Sequence, residues 1–276
     1  MKMAFNFLAR ETGRVHVCGH RGYSLRYPEN TVPAFEAAKV AGATTVEIDV
    51  VLTADDEPIV LHDLTVDRTT NGHGFAADLS LEQIRRLDAG VCFHPAFAGT
   101  KIPTVAEALD WAKRDNMGIV LEIKEAERPD IAVDRVEGLL RATGTLDRVI
   151  VISFDHVLLK RAVERHPHLR TEAITHARHA DLVGVLRACS ANSVSIELDM
   201  FCADDARALH EAGFSIRVHV PRPDALAPYW RGGRDPLPAL VQWIADGFID
   251  TVSGDDVPFI AMLAKRAGRA GAVSWR

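Results

Sequence analysis

The sequence predicts a (β/α)₈ barrel, and three observations carry that expectation. From Val15 onward, short β-branched apolar runs alternate with amphipathic segments about eight times. The 276 residues match the length one such barrel needs. Charged side chains stand at the C-terminal ends of several apolar runs, where barrels of this kind keep their chemistry.

Residues 15–22 read as a strand that stops at the pair His20-Arg21 and a glycine. A helix follows over residues 32–41, with Asn30 or Thr31 as N-cap, Pro33 in its first turn and Gly42 closing it. Residues 44–50 form the next strand. Side chains two apart on a strand share a face, so Glu47 and Asp49 point together while Val46, Ile48 and Val50 turn toward covering helices. Residues 58–63 are a further apolar run ending on His62.

The rhythm breaks over residues 64–100. Residues 66–74 are polar and turn-rich, and Ser80-Leu81-Glu82-Gln83 has the form of a capping box. So long a stretch with little regular structure is expected to be a small functional insertion after the strand ending at His62. The alternation then resumes with helix 105–114, strand 118–123, helix 130–142, strand 148–153 and helix 155–165. Strand 171–174, helix 180–188, strand 193–198, helix 203–212 and strand 215–220 follow, then helix 238–246, strand 249–253 and helix 257–267. With no repeat or low-complexity segment, residues 1–276 are expected to form a single domain.

Composition narrows the function. A net charge of −6 argues against a nucleic-acid binder, which needs a basic surface. Any anionic substrate must be held by local charge. The four cysteines, Cys18, Cys92, Cys189 and Cys202, show no C-x-x-C spacing, so reduced thiols and a cytoplasmic location are expected. The apolar run over residues 3–9 is broken by Asn6 and followed by no small-residue cleavage site, so no secretion signal is read. No run approaches the roughly 20 apolar residues of a membrane span, and no integral membrane contact is expected.

The same mouth should gather His20, Arg21, Glu47, Asp49, His62, Glu122 and Lys124. A lone strand-end histidine is more often a packed or capping residue than a catalyst. Three carboxylates together change the picture, because they repel and take up protons unless a cation neutralises them, and all-oxygen donors suit a hard divalent ion. Two histidines, an arginine and a lysine beside them make up the parts for metal-assisted phosphoryl or acyl chemistry.

His20-Arg21-Gly22, Pro28-Glu29-Asn30-Thr31, Glu47-x-Asp49, Val60-Leu61-His62-Asp63, Asp67-Arg68-Thr69-Thr70-Asn71-Gly72 and Leu121-Glu122-Ile123-Lys124, in this order and spacing, resemble the glycerophosphodiester phosphodiesterase family. Asp88-Ala89-Gly90 and the segment at 102–109 are similar to that family's insertion and following helix. The resemblance is strong over residues 15–124 and weaker to about Val257. It implies that Glu47, Asp49 and Glu122 bind a divalent metal, Mg²⁺ or Ca²⁺, that His20 and His62 are the general acid and base, and that Arg21 and Lys124 hold the phosphate. It also implies a small-molecule glycerophosphodiester substrate whose own 2-hydroxyl is the first nucleophile, giving a cyclic phosphodiester that water opens.

The second half departs from the family. At the expected end of strand seven stands Val218-His219-Val220, and Ile196-Glu197-Leu198-Asp199 repeats the Glu-x-Asp pattern, so His219 and Glu197 are expected to touch the alcohol side of the substrate. The segment at 222–238, with Arg222, Trp230, Arg231 and Arg234, is longer than expected; it either shapes that side or is a surface excursion with solvated arginines. His73, inside the insertion, could also touch substrate, whereas Asp255 and Asp256 are expected to cap the last helix. Two rivals stand beside this expectation: phospholipase D-like cleavage of a choline lipid, which would need an exposed apolar surface, and a non-catalytic phosphodiester-binding barrel. Self-association into a homo-oligomer is left open.

Overall fold

The structure, a computed structural model, describes residue 9 and residues 13–269, with the side chains of residues 229 and 230 outside that description. Apart from Ala9, the apolar run over residues 3–9 therefore lies outside the described residues, as does the Trp230 side chain.

Strand β1 (His16–His20) leads through helix α1 (Val32–Val40) to β2 (Thr45–Leu52) and β3 (Pro58–Val60). The insertion carries the short helix α2 (Leu81–Ile84) and ends at α3 (Val105–Arg114). Then come β4 (Gly118–Ile123), α4 (Pro129–Thr143), β5 (Val149–Ser153), α5 (His156–Arg165), β6 (Thr171–Thr175), α6 (Leu182–Ala188) and β7 (Ser193–Glu197). The chain closes with α7 (Ala203–Glu211), β8 (Ser215–His219), α8 (Ala227–Arg231), α9 (Leu237–Ala245), β9 (Thr251–Gly254) and α10 (Val257–Arg266). Eight strands run parallel in the order β1-β9-β8-β7-β6-β5-β4-β2, and β1 pairs with β2 to close the ring. This is a (β/α)₈ barrel.

The pattern of β2 explains its place. Val46, Ile48 and Val50 face outward into the main core with Phe35 of α1 and Trp111 of α3, whose rings lie 5.4 Å apart. Inside the ring, Cys18, Val120, Ile150, Ile152 and Ile174 form a separate apolar layer. Helix starts follow local chemistry: Thr104 and Glu107 form a capping box at α3, and Pro129 opens α4, which ends on Gly144 in the left-handed conformation (φ 66°).

The run ending on His62 does not join the barrel. β3 turns back antiparallel on β2, pairing Val60 with Val50, and the Leu61 N–H donates to the Asp49 carbonyl at 3.0 Å. A hairpin, not a barrel strand, thus delivers His62 beside Asp49. The two β-strands of this hairpin also found a second core, where Val51, Ile59 and Leu61 pack on Val66, Ala76, Ile84 and Ile102 of the insertion. The Ser80–Gln83 capping box is formed. Gly90 is required there, since a Cβ would lie 1.9 Å from the Phe97 carbonyl oxygen. The insertion also exposes Leu64, Phe75, Val91 and Phe93, apolar surface that the sequence did not announce as a segment. Among the described residues no helix is long and apolar enough to cross a membrane.

Candidate active site and metal centre

Strand register sets the charged groups side by side. His20 of β1 lies level with Glu47 of β2, Asp49 of β2 with Glu122 of β4, and Glu197 of β7 with His219 of β8. Because the strands are parallel, all of these reach the same end. β2 and β7 stand opposite one another in the ring, so the carboxylate cluster and the Glu197–His219 pair occupy facing walls of one cleft. Its volume is about 240 Å³, and His20, Arg21, His62 and Lys124 also line it.

Glu47, Asp49 and Glu122 are buried, and each offers an oxygen within 4.8 Å of the others. Two cations reach the cluster: Lys124 Nζ lies 3.0 Å from Glu122 Oε1 and 3.7 Å from Asp49 Oδ1, and Arg21 Nε lies 3.3 Å from Asp49 Oδ2. The Asn30 amide donates to Asp49 Oδ2 at 2.8 Å, and the Arg21 backbone N–H donates to Glu47 Oε2 at 3.1 Å. These contacts leave Glu47 Oε1 and Asp49 Oδ1 buried without a hydrogen-bond partner. Burial, followed by the charge of Asp49, pushes the Glu47 carboxyl up to about 7. Two orphaned oxygens in an all-carboxylate cluster fit a hard divalent cation.

Each histidine is gripped at the same ring atom. His20 Nδ1 lies 2.7 Å from Asp255 Oδ1, and His62 Nδ1 lies 2.6 Å from Asp63 Oδ1. Burial raises Asp255, but the hydrogen bond from His20 outweighs it; for Asp63 the hydrogen bond from Arg68 is the largest influence and exceeds the opposing effect of burial. Both carboxyls are held down to about 2, so both aspartates are anions that accept and both Nδ1 atoms donate. In each ring this leaves Nε2 for other partners, and that of His20 lies 3.9 Å from Glu47 Oε2. Burial lowers His20, but the bond to Asp255 and the charge of Glu47 outweigh it and raise its pKa from the ordinary value. His219 stacks edge-on against His20 at 5.0 Å; burial, then the nearby His20 charge, drives it down to about 3, so it is a neutral ring.

The structure thus brings His20, Arg21, Glu47, Asp49, His62, Glu122, Lys124, Glu197 and His219 to one mouth, with corrections around them. Asp255 does not cap the last helix; Asp256 alone does, accepting from the Phe259 N–H, while Asp255 turns inward to His20. Thr31 is the N-cap residue of α1 but makes no side-chain cap, and Asn30 is spent on Asp49. His73 is solvent-exposed beside Asp67 and does not line the cleft. Arg222, Arg231 and Arg234 are exposed, and none of them lines the cleft, in keeping with a surface excursion. Glu197 is paired with His176 at 3.3 Å. Sequence reasoning missed Arg217, which lines the cleft and donates to buried Glu172 at 2.7 Å. Its signal was available: Arg217-x-His219 is the same two-residue spacing as Glu47-x-Asp49.

The model of the glycerophosphoryl diester phosphodiesterase family matches residues 20–229. A glycerophosphodiester phosphodiesterase of Caldanaerobacter subterraneus is 41% identical over 156 residues, which is 56% of this chain and 64% of that protein. One from Bacillus subtilis is 33% identical over 183 residues, covering 60% of this chain and 61% of the relative. The chain therefore spans less than two thirds of the length of these relatives. The solved structure of an Oleispira antarctica phosphodiesterase in complex with the product sn-glycerol-3-phosphate has the same fold, with a TM-score of 0.78 at 24% identity over 92% of this chain and 98% of that one.

Proposed function

The chain belongs to the glycerophosphoryl diester phosphodiesterase family, and on that footing we propose that it hydrolyses a glycerophosphodiester to an alcohol and glycerol 3-phosphate. One observation carries the proposal: two histidines, each fixed through Nδ1 by an aspartate, share a cleft with a buried carboxylate triad holding two orphaned oxygens. The relatives' names and the product bound in the Oleispira antarctica enzyme agree with it.

Glu47, Asp49 and Glu122 would hold Mg²⁺ or Ca²⁺, which supplies positive charge against the phosphate oxygens. Arg21 and Lys124, at the edge of the triad, hold the phosphate, the first as a planar fork and the second as a point charge. One histidine Nε2 takes the proton of the substrate's 2-hydroxyl as that oxygen bonds to phosphorus. The other gives a proton to the alcohol oxygen as its bond to phosphorus breaks. The roles then reverse: water gives a proton to the second histidine as its oxygen bonds to phosphorus, the bond from phosphorus to the 2-oxygen breaks, and that oxygen recovers its proton from the first histidine. Holding the 2-hydroxyl next to phosphorus is itself a large contribution, since it makes the first step intramolecular. Glu197 and the neutral His219, on the facing wall, contact the alcohol side of the substrate.

We place the protein in the cytoplasm as one catalytic domain acting in the turnover of lipid-derived diesters; its four free cysteines support the location. Phosphorus NMR of metal-stripped protein with glycerophosphocholine, glycerophosphoethanolamine, glycerophosphoinositol and lysophosphatidylcholine, before and after Mg²⁺ or Ca²⁺, tests the reaction. Metal-dependent glycerol 3-phosphate, absent with His62→Ala, is the expected result. A cyclic product from the lyso-lipid alone would instead point to lipid cleavage, and no change with any diester would sink the proposal.

A further inference from the structure

The insertion meets the barrel mouth at one arginine. Arg68 Nε donates to Asp63 Oδ2 at 2.6 Å and its Nη2 to Asp63 Oδ1 at 3.1 Å. The other edge of the same guanidinium donates to both oxygens of Glu29, each at 2.8 Å. Glu29 Oε1 in turn accepts from Arg21 Nη1 at 3.0 Å, and Arg21 Nε reaches Asp49. An unbroken chain of charged contacts therefore runs from His62 through Asp63, Arg68, Glu29 and Arg21 to the carboxylate triad. We infer that Arg68 is a positioning residue: by clamping Asp63 and Glu29 at once, it fixes the ring of His62 and the guanidinium of Arg21 relative to each other.

The chemistry of the clamp supports this assignment. A planar guanidinium can engage two carboxylates at once with fixed angles, which a lysine cannot. Asp63 has no other cationic partner among the described ion pairs except His62 itself. Without Arg68, its carboxylate would be free to rotate away from Nδ1, and the His62 ring would lose its fixed face. Glu29 would keep only Arg21. Arg68 itself is half exposed and does not line the catalytic cleft, so its influence runs through its partners.

The inference rests on the proposed diesterase activity, and the test separates the two. Arg68→Ala, Arg68→Lys, Asp63→Asn and the double variant Asp63→Asn/Arg68→Ala are assayed on glycerophosphocholine with Mg²⁺, with thermal melts as a folding control. Arg68→Ala should lower kcat by about 10- to 100-fold while KM changes less than about threefold. The double variant should lose less than the product of the two single losses, because both act through His62 while only the loss of Arg68 also frees Glu29. Arg68→Lys should recover only part of the loss, and added guanidinium ion should recover some activity in Arg68→Ala. Equal activity of Arg68→Ala and wild type, or losses that multiply in the double variant, would overturn the inference. If the wild type proves inactive on every diester, the proposed function fails by itself. Nitrogen-15 histidine NMR then decides the clamp: the hydrogen-bonded Nδ1–H signal of His62 should be lost or displaced in Arg68→Ala, and an unchanged signal would refute it. Should Arg68→Ala not fold, the same comparisons are made with Arg68→Lys and Arg68→Gln.

Discussion

At the scale of single residues, what matters is which atom of each side chain is already committed. Asp255 commits His20 Nδ1 and so presents Nε2 to the cleft. Asp255→Asn should therefore keep the fold, yet lower kcat about 10- to 100-fold, since an amide can hold the wrong tautomer; steady-state kinetics and a melt on the same preparation check both halves. His62→Ala, which removes the ring proposed to carry the proton, should cost at least about 100-fold. Asp255 was not legible as His20's partner, because 235 residues separate the pair and Asp255-Asp256 before an apolar run is also what a helix N-terminus looks like. A different histidine reports on stability. His16 is buried on β1, where loss of hydration lowers its pKa to about 4. In the unfolded chain it takes its proton near pH 6.5. Between pH 6.5 and 4 the unfolded state therefore binds more protons than the folded one, and stability falls as pH falls. By pH 5 this amounts to about 2 kcal/mol relative to neutral pH. Urea titrations at pH 7.5 and pH 5 should show His16→Gln losing that much less stability on acidification than the wild type, whatever its loss at neutral pH; an identical acid slope would refute the assignment.

At the scale of elements, the eight barrel strands were legible because a parallel sheet covered on both faces writes itself as apolar, β-branched runs. Glu47-x-Asp49 was legible for the same reason, since the period of two on a strand needs no knowledge of neighbours. The hairpin was not. Pro58–Val60 is a three-residue strand, and nothing in its composition distinguishes an antiparallel return on β2 from a strand of the ring. Nor was the turn after β1, where Arg21 and Asn30 take left-handed backbone (φ 56° and 58°), a conformation costing about 1 to 3 kcal/mol for such residues. Both contact Asp49, so the strained positions are those that aim side chains at the triad. Gly22 makes this turn possible: its φ is +84°, and a Cβ there would lie 2.7 Å from backbone and side-chain atoms of Ala34. Gly22→Ala should thus destabilise the protein by more than about 1 kcal/mol in urea and displace Arg21, lowering activity beyond the loss of folded protein. Full stability in that variant would mean the turn is not constrained as described.

At the scale of the whole molecule, the barrel carries a charge arrangement that works against its own stability until a ligand arrives. Three buried carboxylates sit within 4.8 Å of one another, and two of their oxygens have no partner. Lys124 and Arg21 offset part of the repulsion, yet Glu47 is still pushed to about 7 by burial and by Asp49. Removing that charge should stabilise the metal-free fold while removing function, the trade expected where a site is built for a ligand and not for stability. In Glu47→Gln the amide oxygen can still accept from the Arg21 N–H, and the amide N–H groups can face the neighbouring carboxylates. Metal-stripped Glu47→Gln should therefore melt a few degrees above the metal-stripped wild type, at roughly 2 to 4 °C for each kcal/mol regained. Adding Mg²⁺ or Ca²⁺ should reverse the order. At about 100 times its Kd a ligand that binds only the folded state adds about 2.7 kcal/mol, so the wild type should gain roughly 5 to 10 °C while Glu47→Gln responds little at the same concentration. Calorimetry of both proteins, with and without each ion, reads all four states. A wild type indifferent to both ions would remove the triad's claim to a metal, and a Glu47→Gln protein less stable than the stripped wild type would show that the carboxylate stabilises the barrel instead of straining it.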